Sequence, residues 1–185
     1  MEFEIKRLKI RYFTEQDFLL FYSIFSNEQV MRYAWIDKID NKEDMLKLFN
    51  ELLNHDGKLN NNSSYVFAVF LREDERFIGF ADMVIQSQNS DGGCGEIGYF
   101  LLPEYWGNGY ATELASALIN LGFTKYGLHK ISATCNSNNL KSENIMKKVG
   151  MTKEGELKRV RYKNGSWDDE KHYGILINEW KAMES

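Results

Sequence analysis

Proline occurs once and cysteine twice in 185 residues, and both scarcities narrow what the chain can be. Cys94 and Cys135 form no Cys-x-x-Cys pair, and the three histidines stand far apart at 55, 129 and 172. Neither a disulfide framework nor a structural metal site is supported. No apolar run reaches the roughly eighteen residues that a membrane-spanning helix needs. Met1-Glu2-Phe3-Glu4 has neither the basic flank nor the apolar stretch of a secretory leader, so a soluble, cytoplasmic protein with no membrane partner is the expectation. Basic excess is also missing: 23 Lys and Arg face 27 Asp and Glu, for a net charge of −4. That balance argues against nucleic acid as a partner. No repeat is present, and the polar run Asn60-Asn61-Asn62-Ser63-Ser64 is too short for a linker. With 43% hydrophobic and 14% aromatic residues, residues 1–185 suffice for one domain with its own core.

What is present is a mixed pattern of α and β signals. Alternating Phe3, Ile5, Leu8 and Ile10 suggest one strand, irregular near Lys6-Arg7. Thr14, three residues before Asp17, starts a helix carrying the aromatic stripe Phe18 to Phe25. A short helix from about Glu28 to Tyr33 follows. Asp40 or Asn41 caps a third helix, with Met45, Leu48, Phe49, Leu52 and Leu53 on one face, ending near Gly57. Tyr65–Leu71 and Phe77–Ile85 read as a hairpin around the charged segment Arg72–Arg76. After Asp91-Gly92-Gly93 come a strand, a helix with the stripe Ala111 to Phe123, a strand at Lys130–Cys135 and a helix at Leu140–Val149. Two last strands, at about Glu156–Tyr162 and Trp167–Asn178, flank the hairpin signal Asn164-Gly165. The strand–helix–strand unit from Gly95 to Cys135 requires a right-handed parallel crossover, and the remaining sheet reads as antiparallel.

The most informative stretch runs from Glu96 to Glu113. A buried-type strand stops at Pro103, and the chain restarts as a helix through Gly107-Asn108-Gly109. The first N–H groups of a helix lack intrahelical partners, and the aligned peptide dipoles add about half a positive charge there. The turn is either purely structural or an anion cradle. A dinucleotide fingerprint fails, because Thr112 stands at the third glycine position and His129-Lys130 lie where a ribose-binding carboxylate belongs. A Walker loop fails for want of Gly-Lys-Ser/Thr.

Preceded by that strand and Pro103, Gly107-Asn108-Gly109-Tyr110-Ala111 resembles the pyrophosphate loop of GNAT-superfamily N-acetyltransferases, with Trp106 at the family's Gln/Arg position. Val30-Met31-Arg32-Tyr33, Asn136–Gly150, and Gly155-Glu156-Leu157 through Asn164-Gly165 to Glu179-Trp180 resemble three further segments of the ribosomal-protein N-terminal and spermidine acetyltransferase subgroup. The resemblance covers nearly the whole chain. It implies an α+β single domain: a mostly antiparallel mixed sheet with a splayed central parallel pair flanked by helices. It also implies acetyl-CoA as co-substrate without a metal, with pantetheine on the freed edge of the strand containing Phe100, Leu101 and Leu102. The amides of Gly107, Asn108, Gly109, Tyr110, Ala111 and Thr112 would hold the pyrophosphate, and Asn139 the pantetheine region.

The chemistry so implied is attack of a neutral amine on a thioester, with the oxyanion stabilised by a backbone N–H near Leu101. Glu96, on the strand lining the acetyl site, is the candidate base. Ser142 stands where ribosomal-protein acetyltransferases of the subgroup carry a serine that helps the thiol leave. Spermidine acetyltransferases use a tyrosine four residues later, and here that position is Met146. Tyr33 and Trp35 are candidate walls of the acceptor pocket. The acceptor is a small-molecule amine or a protein N-terminal α-amine. A small-molecule acceptor would be a polyamine or an aminoglycoside; Met146 speaks against the polyamine, while Asp37, Asp40, Glu43 and Asp44 offer a surface for a cation. A non-catalytic CoA-binding sensor is the competing class. A monomer or homodimer is expected.

Overall fold

This computed structural model describes residues 1–34, 36–54, 58–59 and 64–184. The N-terminal alternation forms two strands rather than one. β1 (Glu2–Glu4) and β2 (Leu8–Tyr12) pair antiparallel, because the irregularity near Arg7 is a full reversal in which Ile5 N–H bonds Leu8 O. At Thr14 the Asp17 carboxylate accepts from the Thr14 N–H at 2.7 Å, closing half of a capping box. The turn it opens is 3-10 at Glu15–Asp17, and only then does α1 (Phe18–Phe25) begin. α2 (Glu28–Met31) follows, with Asn27 Oδ1 as its cap. Asn41 Oδ1 accepts from Glu43 N–H at 2.8 Å and so caps α3 (Lys42–Asn54). The expected end of that helix near Gly57 lies outside the described residues.

The strands β3 (Lys58–Leu59), β4 (Ser64–Leu71), β5 (Phe77–Asn89) and β6 (Gly92–Leu101) come next. Then α4 (Tyr110–Thr124), β7 (Lys130–Asn136), α5 (Leu140–Lys148), β8 (Thr152–Lys163) and β9 (Ser166–Leu176) complete the sheet. The segment expected as the end of the last strand instead turns into α6 (Ile177–Glu184). Glu179 caps that turn, accepting from Leu176 N–H at 2.8 Å.

Among the described residues the strand order is β1-β2-β4-β5-β6-β7-β9-β8, with β3 beside β4. Every pairing is antiparallel except β6–β7. Strand alternation sends successive side chains to opposite faces, and each face carries its own core. On one face Ile97, Leu101, Ile131 and Ala133 pack against Leu114 and Leu118 of α4 and Met146 of α5. On the other, Phe80 packs with Phe21 and Phe25 of α1, Met45, Phe49 and Leu52 of α3, Met31 of α2 and Ala34 just after it. Each fully buried side chain of this size contributes about 1.5–3 kcal/mol relative to exposure, so helices on both faces hold the sheet rigid. The aromatic stripe of α1 belongs to this core.

Candidate active site

The parallel pairing is short. Cys94, Gly95 and Glu96 pair with Lys130, Ile131 and Ser132, and the register ends there. Beyond Glu96, β6 stays bonded to β5 and β7 stays bonded to β9, so the two central strands separate. Leu102 N–H donates to Ile78 O at 2.9 Å. By the alternation of an antiparallel ladder, the main-chain groups of Glu96, Gly98, Phe100 and Leu102 then point at β5. Those of Tyr99 and Leu101 point into the gap. Unpaired main-chain groups inside a fold are costly unless something completes them, so an extended, amide-bearing ligand fits this slot. Of the three positions expected to hold pantetheine, Leu101 turns its main chain to the gap, whereas Phe100 and Leu102 turn theirs away.

The glycine turn stands at one end of this gap. Gly107 and Gly109 have φ of 80° and 79°, the left-handed region where a side chain costs about 1–2 kcal/mol. A Cβ on Gly107 would meet nothing within 4 Å, so the turn is open to solvent. Gly109 is the N-cap of α4, and the first intrahelical bond runs from Glu113 N–H to Gly109 O at 3.1 Å. That leaves the N–H groups of Tyr110, Ala111 and Thr112 without intrahelical acceptors. Trp106 donates its Nε1–H to Leu101 O at 2.7 Å, and Lys141 Nζ lies 4.8 Å from the centre of its ring.

Arg7 braces this cradle from the first hairpin. Its Nε donates to Glu113 Oε2 at 2.6 Å, its N–H to Glu113 Oε1 at 2.7 Å and its Nη1 to Asn108 O at 2.9 Å. Its guanidinium stacks 4.5 Å over the Tyr110 ring. By binding the Asn108 carbonyl, Arg7 fixes the orientation of that peptide in the turn. Replacing Arg7 with alanine raises the KM for acetyl-CoA about fivefold, the worth of about 1 kcal/mol. Saturated turnover stays near that of the parent, and the Glu113→Gln effect does not add to it. Initial rates against acetyl-CoA concentration decide this, and an unchanged KM in both variants contradicts it.

On the sheet face of α1, the Glu96 carboxylate accepts from Gln86 Nε2 at 3.0 Å and from Thr134 Oγ1 at 3.0 Å. It thus stands at the fork where β6 and β7 part. Asp82, which sequence reasoning missed, lies on the same face one strand away, opposite Gly98. A Cβ on Gly98 would collide with Asp82 Oδ1, so the glycine admits the carboxyl. Burial, and then the nearby Glu96 charge, push the Asp82 carboxyl up to about 7. The only sequence signal was a carboxylate inside the apolar run Phe80-Ala81-Asp82-Met83-Val84-Ile85.

This shift links to stability. Unfolded, Asp82 releases its proton near pH 4, while folded it holds it up to about 7. The folded chain therefore binds more protons between those values, and the associated stability, complete below pH 4, is lost as pH rises through 7. Asp82→Asn removes that loss. Urea unfolding at intervals from pH 4 to 8 checks it: the parent loses stability relative to the variant as pH rises, and parallel curves contradict the claim.

The opposite face holds Ser142. Its N–H donates to Asn139 Oδ1 at 3.2 Å, so Asn139 caps α5, and its Oγ lies 3.4 Å from Tyr99 Oη. Burial pushes the Tyr99 hydroxyl up to about 12, so it keeps its proton at neutral pH. Glu96 and Ser142 thus flank the gap from its two faces. Cys135 faces the same core as Tyr99, and burial pushes its thiol up to about 11, which makes it a poor nucleophile. Tyr33 is partly buried beside Arg32, 5.2 Å from its ring, in the loop that packs on the Phe80 core. Trp35 lies outside the described residues. Of the acidic surface, Asp40 pairs with Lys38 at 3.1 Å and Asp44 with Lys47 at 3.2 Å. Among the described residues, no cluster of His, Cys, Asp and Glu side chains is arranged to hold a metal ion, and no helix is long and apolar enough to cross a membrane.

Comparison with known proteins agrees with this geometry. The family model for the acetyltransferase (GNAT) domain matches residues 7–152. The uncharacterized N-acetyltransferase YnaD of Bacillus subtilis (strain 168) is 34% identical over 180 residues, covering 97% of this chain and 99% of its own length. The spermidine N(1)-acetyltransferase of Escherichia coli (strain K12) is 29% identical, covering 95% and 89%. A crystal structure of a GNAT-family acetyltransferase from Bacillus anthracis superposes with a TM-score of 0.78 at 31% identity, covering 95% of this chain and 98% of that one.

Proposed function

The chain belongs to the GNAT acetyltransferase family, an acetyl-CoA-dependent N-acetyltransferase, and from that footing we propose how its residues divide the work. Acetyl-CoA supplies an activated acetyl carbonyl and a thiolate leaving group. The carrying observation is the end of parallel pairing at Glu96–Ser132 beside the glycine cradle at Gly107–Thr112, which fits a long ligand with an amide-bearing arm and a pyrophosphate. The main chain of Tyr99 and the N–H of Leu101 bind the arm, and Tyr110, Ala111 and Thr112 N–H bind the pyrophosphate. Asn108 and Trp106 shape the turn. Asn139 Nδ2 faces the arm while its oxygen caps α5.

The amine arrives on the face of Glu96. An alkylamine with pKa about 10.4 costs about 4–5 kcal/mol to deprotonate at pH 7, an α-amine near 8 only about 1. Glu96, backed by Asp82, accepts that proton, directly or through a water. On the other face the Ser142 hydroxyl, beside Tyr99 Oη, donates toward the departing sulfur. Tyr33 and Trp35 form the acceptor wall.

The acceptor is a primary amine, either a small molecule or a protein N-terminus. The Asp82–Glu96 pair supports a cationic small amine, as does the likeness to a spermidine acetyltransferase, while Met146 speaks against a tyrosine-dependent mechanism. Dependence on acetyl-CoA supports a cytoplasmic setting. Thiol release from acetyl-CoA across a panel of polyamines, aminoglycosides and N-terminal peptides tests the reading. Turnover with at least one amine is expected, and CoA binding without turnover on any of them contradicts it.

A further inference from the structure

Lys163 is the last residue of β8, directly before the Asn164-Gly165 turn, and only 7% of its surface is exposed. Its ammonium donates to three main-chain carbonyls: Met31 O, Ala34 O at 3.0 Å and Ile36 O at 2.8 Å. An ammonium has three N–H groups, so these carbonyls satisfy it fully. Carbonyls at a helix C-terminus have no intrahelical donors, and here a side chain about 130 positions away caps the end of α2. Asp37 and Asp168 act on Lys163 electrostatically, opposed by Arg161, and burial pulls its pKa down. A buried charge caged by carbonyls is an expensive way to close a loop.

The loop so held carries Tyr33. Met31 and Ala34 pack in the same core as Phe80, next to Phe100, on the sheet face that presents Glu96. β8 and β9 lose register between Leu157 and Arg161, and Arg159 takes a φ of 51° there. This bulge bends the hairpin shortly before Lys163.

We propose that Lys163 is a positioning residue that latches the loop after α2 to the closing hairpin and so sets the acceptor wall. The proposal rests on the reading of Tyr33 as part of that wall. The hairpin then tunes which amine is accepted without touching acetyl-CoA.

Lys163→Met keeps the stem volume but removes the ammonium from all three carbonyls, of which Met31 O retains the Ala34 N–H, and Lys163→Arg keeps the charge. In Lys163→Met, the amine KM rises about tenfold, the acetyl-CoA KM stays within about twofold, and amide exchange quickens at residues 31–37. Lys163→Arg restores most of the amine KM. Equal rises in both KM values mean a general structural role and overturn the proposal, as does unchanged exchange at 31–37. Should Lys163→Met fold poorly, Lys163→Gln is measured in the same way. Tyr33→Ala separates the two claims: an unchanged amine KM there, with quickened exchange in Lys163→Met, overturns the acceptor-wall reading while the latch itself stands.

Discussion

Glu96→Gln lowers kcat/KM for an alkylamine acceptor by about 10²- to 10³-fold at pH 7, the range a positioned general base supplies. An α-amine acceptor loses about tenfold or less, because its proton costs about 1 kcal/mol to remove rather than 4–5. The substitution is nearly isosteric and keeps polar partners for Gln86 and Thr134, so acetyl-CoA affinity and thermal stability stay close to those of the parent. Raising the pH rescues the variant, since the amine then arrives already neutral. The paired carboxyl adds a signature. A rate limb near pH 7, where Asp82 titrates, flattens in Asp82→Asn. Equal, small losses on both amine classes remove Glu96 as the base.

Gly109→Val raises the acetyl-CoA KM by about 100-fold. Two costs combine: a β-branched residue at φ 79° is strained by about 1–2 kcal/mol, and relieving that strain turns the first amides of α4 away from the anion. The new side chain also reaches toward Arg7 Nη2, which lies 3.5 Å from a Cβ at this position. Gly127→Val is the control. That residue has φ 62° and open space around its Cβ, so it carries the same backbone strain away from the cradle. Both variants melt earlier, but only Gly109→Val loses acetyl-CoA. If the two have the same acetyl-CoA KM, the cradle assignment fails.

The parts of this site written in local chemistry were legible in the sequence. Two glycines between a proline-ended strand and a helix mark a turn at a helix start, and both take positive φ. Asn164-Gly165 carries positive φ at both positions, as a two-residue hairpin demands. Where no punctuating residue marks a break, the reading failed. Ile5-Lys6-Arg7 reverses the chain without glycine or proline, so alternation read as one strand. The switch from β9 to α6 falls at Leu176-Ile177, where the apolar residues of the strand run on into the helix and only Asn178-Glu179 follow as a polar mark.

The remaining features depend on contacts that no spacing rule reaches. Asp82 owes its proton affinity first to burial, in a place that Gly98 leaves open, and then to Glu96 on the next strand. Arg7 meets Glu113 more than a hundred positions away. Nothing in the sequence marks Lys163, and only the fold brings it against the end of α2. Ser142 and Glu96 were singled out by resemblance, but that they stand on opposite faces of the gap is visible only once the strands part.

Amide hydrogen exchange with and without acetyl-CoA tests the central claim most directly. The account predicts slowed exchange at Tyr99 and Leu101, whose N–H groups face the gap between β6 and β7, and at Tyr110, Ala111 and Thr112 in the cradle. Phe100, already bonded to β5, stays unchanged. Saturating acetyl-CoA with no protection at either group of amides, in an enzyme that still turns over, would contradict it.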